Sequence, residues 1–243
     1  MEIVYPPVIA TAKTLFRVLD MRIQVDGAQH IPTTGGAVLA SNHVSYLDFI
    51  FAGLGAQPSK RLVRFMAKKS VFDHKISGPL MRGMRHIPVN RVAGSAAFLE
   101  AENALRKGEV VGVFPEATIS ESFTVKTLKS GAARLAQAAG VPLIPSVVWG
   151  PHRLWTKGRP KELTKRHVPV IIKIGEPIVV PADATTEAMT LVLHERLSAL
   201  LDEAQRDYPE RPSGPDETWW LPAHLGGTAP LPRKVGAVEP LEA

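Results

Sequence analysis

Short apolar runs separated by helix-length amphipathic segments constrain this chain more than any other feature. Candidate strands lie at 22–26, 36–41, 63–67, 86–90, 109–114, 142–148 and 168–174. Some, such as Ala37-Val38-Leu39-Ala40, are continuously apolar. A strand apolar on both sides must be covered on both sides, as in a sheet flanked by helices. Candidate helices fall between the strands, at 8–20, 46–54, 71–82, 95–107, 127–139 and 186–205. The last places Met189, Val192, Leu193, Leu197, Leu200 and Leu201 on one stripe. The alternation predicts a single-domain layered α/β fold, with a mostly parallel or mixed sheet of about seven strands flanked by helices. The chain has 243 residues, 45% of them apolar, which is enough for one sizeable core. Residues 1–21 read as an N-terminal amphipathic helix, 22–206 as the domain, and 207–243 as a Pro/Gly-rich tail without its own core.

The strand 36–41 leads into Ser41-Asn42-His43-Val44-Ser45-Tyr46-Leu47-Asp48. On a continuous helix, five positions turn through about 500°, leaving His43 and Asp48 roughly 140° apart. They meet if His43 lies in the loop before a helix and Asp48 in its first turn, with Asn42 or Ser45 as N-cap. The pair would then sit at the carboxyl end of a strand, where open α/β sheets bind ligands. A neutral imidazole can take a proton from an alcohol near physiological pH. A carboxylate on its other nitrogen fixes the tautomer and stabilises the imidazolium. The chain has no cysteine and no Gly-x-Ser-x-Gly elbow, so no nucleophile completes a triad. The bland alternative makes Ser45-x-x-Asp48 a capping box and His43 a loop histidine.

Later segments shift that balance. Gly83 to Arg91 is a glycine, a short apolar strand and a terminal arginine whose planar fork suits phosphate. Taken alone, Arg91 is more often a solvated strand-end charge. Pro115 ends the strand 109–114 and places Glu116 and Thr118 at its carboxyl end. Val141 to Trp149 is a further apolar strand with prolines at its edge.

In this order the four segments resemble those of the glycerophospholipid acyltransferase superfamily, which includes the lysophosphatidic acid acyltransferases. Asn42 to Asp48 is similar to its first block, the catalytic His-x4-Asp. Gly83 to Arg91 is similar to the second, whose arginine contacts acceptor phosphate. Phe114-Pro115-Glu116-Ala117-Thr118-Ile119 resembles the third, normally Phe-Pro-Glu-Gly-Thr-Arg, and Val141 to Pro145 resembles the fourth. The resemblance spans roughly residues 22 to 180 and implies a glycerophosphate-acyltransferase-like fold, with 22–206 as the acyltransferase domain.

It also implies O-acyl transfer in phospholipid biosynthesis. His43 and Asp48 are the expected catalytic pair. Arg91, Glu116, Ala117 and Thr118 are expected around the acceptor phosphate. The donor is acyl-CoA or acyl-carrier protein, a cosubstrate rather than a cofactor, and no metal is needed. The acceptor is a lysophospholipid or glycerophosphate, above all 1-acylglycerol 3-phosphate. Two positions depart from the pattern. Ala117 replaces a glycine, so the turn either avoids positive φ or tolerates strain. Ile119 replaces an arginine that helps hold phosphate. Lys68, Lys69 and Lys126 are candidate auxiliary cations in its place. The alternatives are a different acceptor (glycerol 3-phosphate, a glycolipid or a polyol), a hydrolase, or a catalytically silent lipid-binding homologue.

The formal charge is +6 and the pI about 9.6, which favours anionic membranes or anionic small molecules. No nucleic-acid-binding motif accompanies it, so nucleic acid is not an expected partner. No secretory signal or transmembrane span is recognisable, and Lys13, Arg17 and Asp20 interrupt the first apolar stretch. Residues 8–20 instead place Val8, Ala12, Leu15 and Leu19 on one helical face. That face either lies in a membrane interface or packs on the core. The expected location is peripheral, on the cytoplasmic face of an anionic membrane. Trp219-Trp220 in the tail is expected to pack on the domain, with a membrane interface as the alternative.

Overall fold

The structure, a computed structural model, describes residues 2–90 and 94–232. Seven strands form one sheet: β1 (Arg22–Asp26), β2 (Ala37–Ser41), β3 (Val63–Lys68), β4 (Ile87–Val89), β5 (Val110–Val113), β6 (Leu143–Trp149) and β7 (Pro169–Ile174). Their spatial order is β1-β7-β6-β2-β5-β3-β4. All neighbours pair in parallel except β6 and β7. The mixed, mostly parallel seven-stranded sheet is the expected one.

Among the described residues seven α-helices flank it: α1 (Tyr5–Val18), α2 (Asp48–Gly55), α3 (Lys69–Asp73), α4 (Ser77–Gly83), α5 (Gly94–Arg106), α6 (Gly131–Ala139) and α7 (Thr186–Arg206). Successive strand residues face opposite ways. Val38 and Ala40 point into a core shared with Ala101 and Leu105 of α5, Leu135 of α6 and Leu197 of α7. Ala37 and Leu39 point into the other core, shared with Phe16 of α1 and Phe51 and Leu54 of α2. The result is three layers, with the sheet buried in the middle.

Four helix expectations need correction. The segment 71–82 is two helices, because the His74 ring accepts from the Ile76 and Ser77 amides between them. Gly78 lets the second approach closely: a Cβ there would lie 2.1 Å from the Phe72 carbonyl oxygen. The segment 127–139 becomes helical only at Gly131, because the residues before it are tied to the turn at Pro115 instead, with Lys129 N–H donating to the Pro115 carbonyl at 2.8 Å. Asp48, not Tyr46, opens α2, because the residues before it wrap around its carboxylate.

The N-terminal helix starts at Tyr5 rather than at residue 8. Pro6 and Pro7 fill its first turn, where proline costs no hydrogen bond. Its inward face is Tyr5, Ile9, Ala12, Phe16 and Leu19. Leu15, on the face expected to lie either in a membrane interface or on the core, is 52% exposed, and Val18 is 59% exposed. Phe16 stacks on Phe51 at 4.9 Å, and the Tyr5 hydroxyl donates to the Val63 carbonyl at 2.8 Å. Among the described residues no helix is long and apolar enough to cross a membrane.

After α7 the chain returns over the domain. Trp220 is 1% exposed, and the Arg153 guanidinium lies 4.5 Å from its ring centroid. His152 Nε2 donates to the Trp220 carbonyl at 3.0 Å. Burial pushes the His152 imidazole down to about 3, so it is neutral. The composition of the last ten or so residues predicts disorder, and they lie outside the described ones.

Candidate active site

At the carboxyl end of β2 the chain leaves the sheet, and the Asn42 side chain continues the ladder in its place. Its Nδ2 donates to the Val148 carbonyl at 3.1 Å, and its Oδ1 accepts from the Val148 amide at 2.8 Å. Asn42 is therefore not the N-cap of α2, and neither is Ser45; Leu47 holds that place without a side-chain cap. The residue after this anchor is His43.

The loop then turns around Asp48, the first residue of α2. Asp48 Oδ2 accepts from three donors: His43 Nδ1 at 3.0 Å, Val44 N–H at 2.7 Å and Ser45 N–H at 2.7 Å. The pair thus meets by the loop-to-first-turn geometry that the spacing requires. Asp48 is fully buried, and its His43 partner has 21% of its side chain exposed. Burial holds the Asp48 carboxyl above its ordinary range, opposed by the His43 hydrogen bond and charge and by the two amides. With Nδ1 committed to Asp48, Nε2 is the nitrogen left to meet a substrate. The ring rests on Phe114, centroids 4.5 Å apart.

A distant segment clamps this loop. Ser45 Oγ donates to the Trp155 carbonyl at 2.7 Å, Tyr46 N–H donates to the same oxygen at 3.2 Å, and Thr156 Oγ1 donates to the Val44 carbonyl at 2.7 Å. Ser120 N–H donates to the His43 carbonyl at 2.7 Å. Sequence reading missed Trp155, Thr156 and Ser120 as supports. No local signal marks them, because their partners are remote in the chain.

Glu116 joins two loops. Its Oε1 accepts from His43 N–H at 2.8 Å and its Oε2 from Lys126 N–H at 3.0 Å. It is 4% exposed, and burial pushes its carboxyl up to about 7 against the pull of both amides. Ala117 follows at φ 63°, so the turn takes the strained course rather than avoiding positive φ. Thr118 Oγ1 accepts from Lys126 Nζ at 2.5 Å. Ile119 is packed away, 7% exposed.

The other expected cations differ in placement. Lys68 ends β3 in register with Val89 of β4, at the same sheet edge as β2's end. Lys69 is exposed and paired with Asp73 at 3.0 Å. Arg91 lies outside the described residues. Among the described residues no group of three or more His, Cys, Asp or Glu side chains could hold a metal ion.

A three-layer α/β fold with a buried aspartate behind a half-open histidine, at the carboxyl end of a central strand, fits proton transfer to or from a bound hydroxyl. Residues 22–149 match the family model described as "Acyltransferase", and the chain belongs to that family. It is 31% identical over 198 residues to the 1-acyl-sn-glycerol-3-phosphate acyltransferase of Bacillus subtilis, covering 78% of this chain and 94% of that protein. It is 30% identical over 160 residues to the enzyme of that name from Limnanthes douglasii, spanning 54% of that longer protein. The crystal structure of the LPA acyltransferase PlsC from Thermotoga maritima superposes with a TM-score of 0.70 over 84% of this chain and 81% of that one. At 24% identity that likeness concerns the fold.

Proposed function

We propose that this acyltransferase moves a fatty acyl group from acyl-CoA or acyl-carrier protein to the free hydroxyl of 1-acylglycerol 3-phosphate. The observation that carries the reading is the 3.0 Å contact between His43 Nδ1 and a fully buried Asp48, in a chain whose relatives bear that activity in their names. His43 Nε2 takes the hydroxyl proton as the oxygen attacks the thioester carbonyl. The tetrahedral intermediate collapses, the carbon–sulfur bond breaks, and the imidazolium returns the proton to the leaving thiolate. One ester forms, one thioester is lost, and the histidine ends as it began. Asp48 holds the tautomer and stabilises the imidazolium.

Arg91 binds the acceptor phosphate in this reading. Glu116 contributes by position, since its two oxygens tie the His43 amide to the loop at Lys126. Ala117 and Thr118 form the turn beside the phosphate. Lys68 at the end of β3 is an auxiliary cation; Lys69, already paired with Asp73, is a weaker one. Docking is peripheral: Leu15 and Val18 protrude from α1 beside Arg17 toward an anionic bilayer. The test is thiol release from palmitoyl-CoA with lysophosphatidic acid, glycerol 3-phosphate, monoacylglycerol or no acceptor, with the product position mapped. Release that depends on lysophosphatidic acid supports the reading. Release independent of any acceptor makes the protein a thioesterase instead.

A further inference from the structure

Lys126 is built into the same junction as the histidine. Its backbone N–H holds one oxygen of Glu116, and the other oxygen holds the His43 amide. Its side chain then returns to the turn, where Nζ donates to Thr118 Oγ1 at 2.5 Å. Three residues on, Lys129 N–H donates to the Pro115 carbonyl at 2.8 Å and ties the same segment to that turn. The half-buried Lys126 is thus held at two points, its backbone N–H on Glu116 and its ammonium on Thr118. The neighbouring position offers nothing polar, because Ile119 is buried.

Charge makes the placement consequential. A phosphate beside His43 also approaches the Glu116 carboxyl, and two anions in one partly desolvated site repel. The Lys126 charge already acts on Glu116, opposing the effect of its burial. The same ammonium, standing over the 116–118 turn, offsets a phosphate placed there.

We propose, on the acyl-transfer reading above, that Lys126 selects acceptors carrying a phosphate monoester, its ammonium meeting the phosphate while Thr118 fixes its position. It is a specificity-determining residue, separate from the proton transfer at His43.

The full chain is assayed with palmitoyl-CoA and two acceptors of the same chain length, lysophosphatidic acid and monoacylglycerol. The variants are Lys126→Ala, Lys126→Met, Lys126→Arg and Thr118→Val, each with a thermal melt. The neutral substitutions are expected to raise the KM for lysophosphatidic acid roughly 10- to 100-fold, as for loss of a charged hydrogen bond. The kcat/KM ratio of the two acceptors falls by the same factor, and the KM for palmitoyl-CoA is unchanged. Lys126→Arg retains part of the preference, and Thr118→Val falls between. Lys126→Met keeps the stem's bulk, so it decides the matter if the alanine variant does not fold. A folded Lys126→Met with an unchanged acceptor ratio, or with equal losses on both acceptors, overturns the proposal. So does a wild-type protein that prefers monoacylglycerol, which leaves acyl transfer standing. A wild-type protein that acylates neither acceptor removes the acyl-transfer reading, and this proposal with it.

Discussion

Asp48 and Glu116 are both buried carboxyls, yet their surroundings ask different things of them. Asp48 gives one oxygen to three donors and so fixes the loop that carries His43. Glu116 spreads two oxygens over two backbone amides, and burial lifts it to about 7. A carboxyl whose folded pKa exceeds its unfolded value holds its proton more tightly in the native state. Between about 4.5 and 7 the native chain therefore binds more protons here, and this group's contribution to stability falls as pH rises through that window. Glu116→Gln removes that slope. The stability of the wild type relative to the variant is predicted to decline by on the order of 3 kcal/mol from pH 4.5 to 7.5. Urea melts across that range check it, and a pH-independent difference would count against a buried, elevated Glu116. At this scale the placement of His43, Asp48 and Glu116 was legible, because His43 and Glu116 follow strand ends that the apolar pattern marks and Asp48 opens the next helix. Asn42 as a sheet rung and the Trp155–Thr156 clamp were not, because their hydrogen-bond partners lie about 110 residues away in the chain.

Among the elements, α1 shows how one helix can serve two surfaces. Tyr5, Phe16 and Leu19 anchor it, so deleting the helix would strip side chains from the core. Its outward face holds Leu15 and Val18 beside Arg17 and Lys13. Replacing Leu15 and Val18 together by glutamate is expected to weaken flotation with anionic vesicles several-fold while leaving the melting temperature within a few degrees. Undiminished flotation would move the anchor elsewhere. Helix phase was the least readable property here. The spacing of Val8, Ala12, Leu15 and Leu19 is a valid stripe, but starting the helix at Tyr5 brings in Tyr5, Ile9 and Phe16 as the stronger one. The break between α3 and α4 was hidden for a similar reason, since it depends on the His74 ring and on backbone approach at Gly78.

For the whole molecule, the strand pattern gave the layers, but the order β1-β7-β6-β2-β5-β3-β4 was not readable, because no local feature says which strands pair. The segment after α7 is part of that long-range order. Trp220 closes over Arg153 and His152, two residues before the segment that clamps the His43 loop. Trp220→Ala is expected to cost about 3–5 kcal/mol by leaving a large cavity beside a buried guanidinium. A loss under about 1 kcal/mol in a urea melt would mean that the segment only rests on the surface.

In the proposed reaction His43 is the base and Asp48 orients it. The most direct test is the steady-state rate of lysophosphatidic acid acylation by His43→Ala and Asp48→Asn, with melts to establish that each is folded. The rate is predicted to fall at least ~10²–10⁴-fold in His43→Ala and by a large part of that in Asp48→Asn, with the melting transition of His43→Ala preserved. Near wild-type turnover by a folded His43→Ala variant would contradict it.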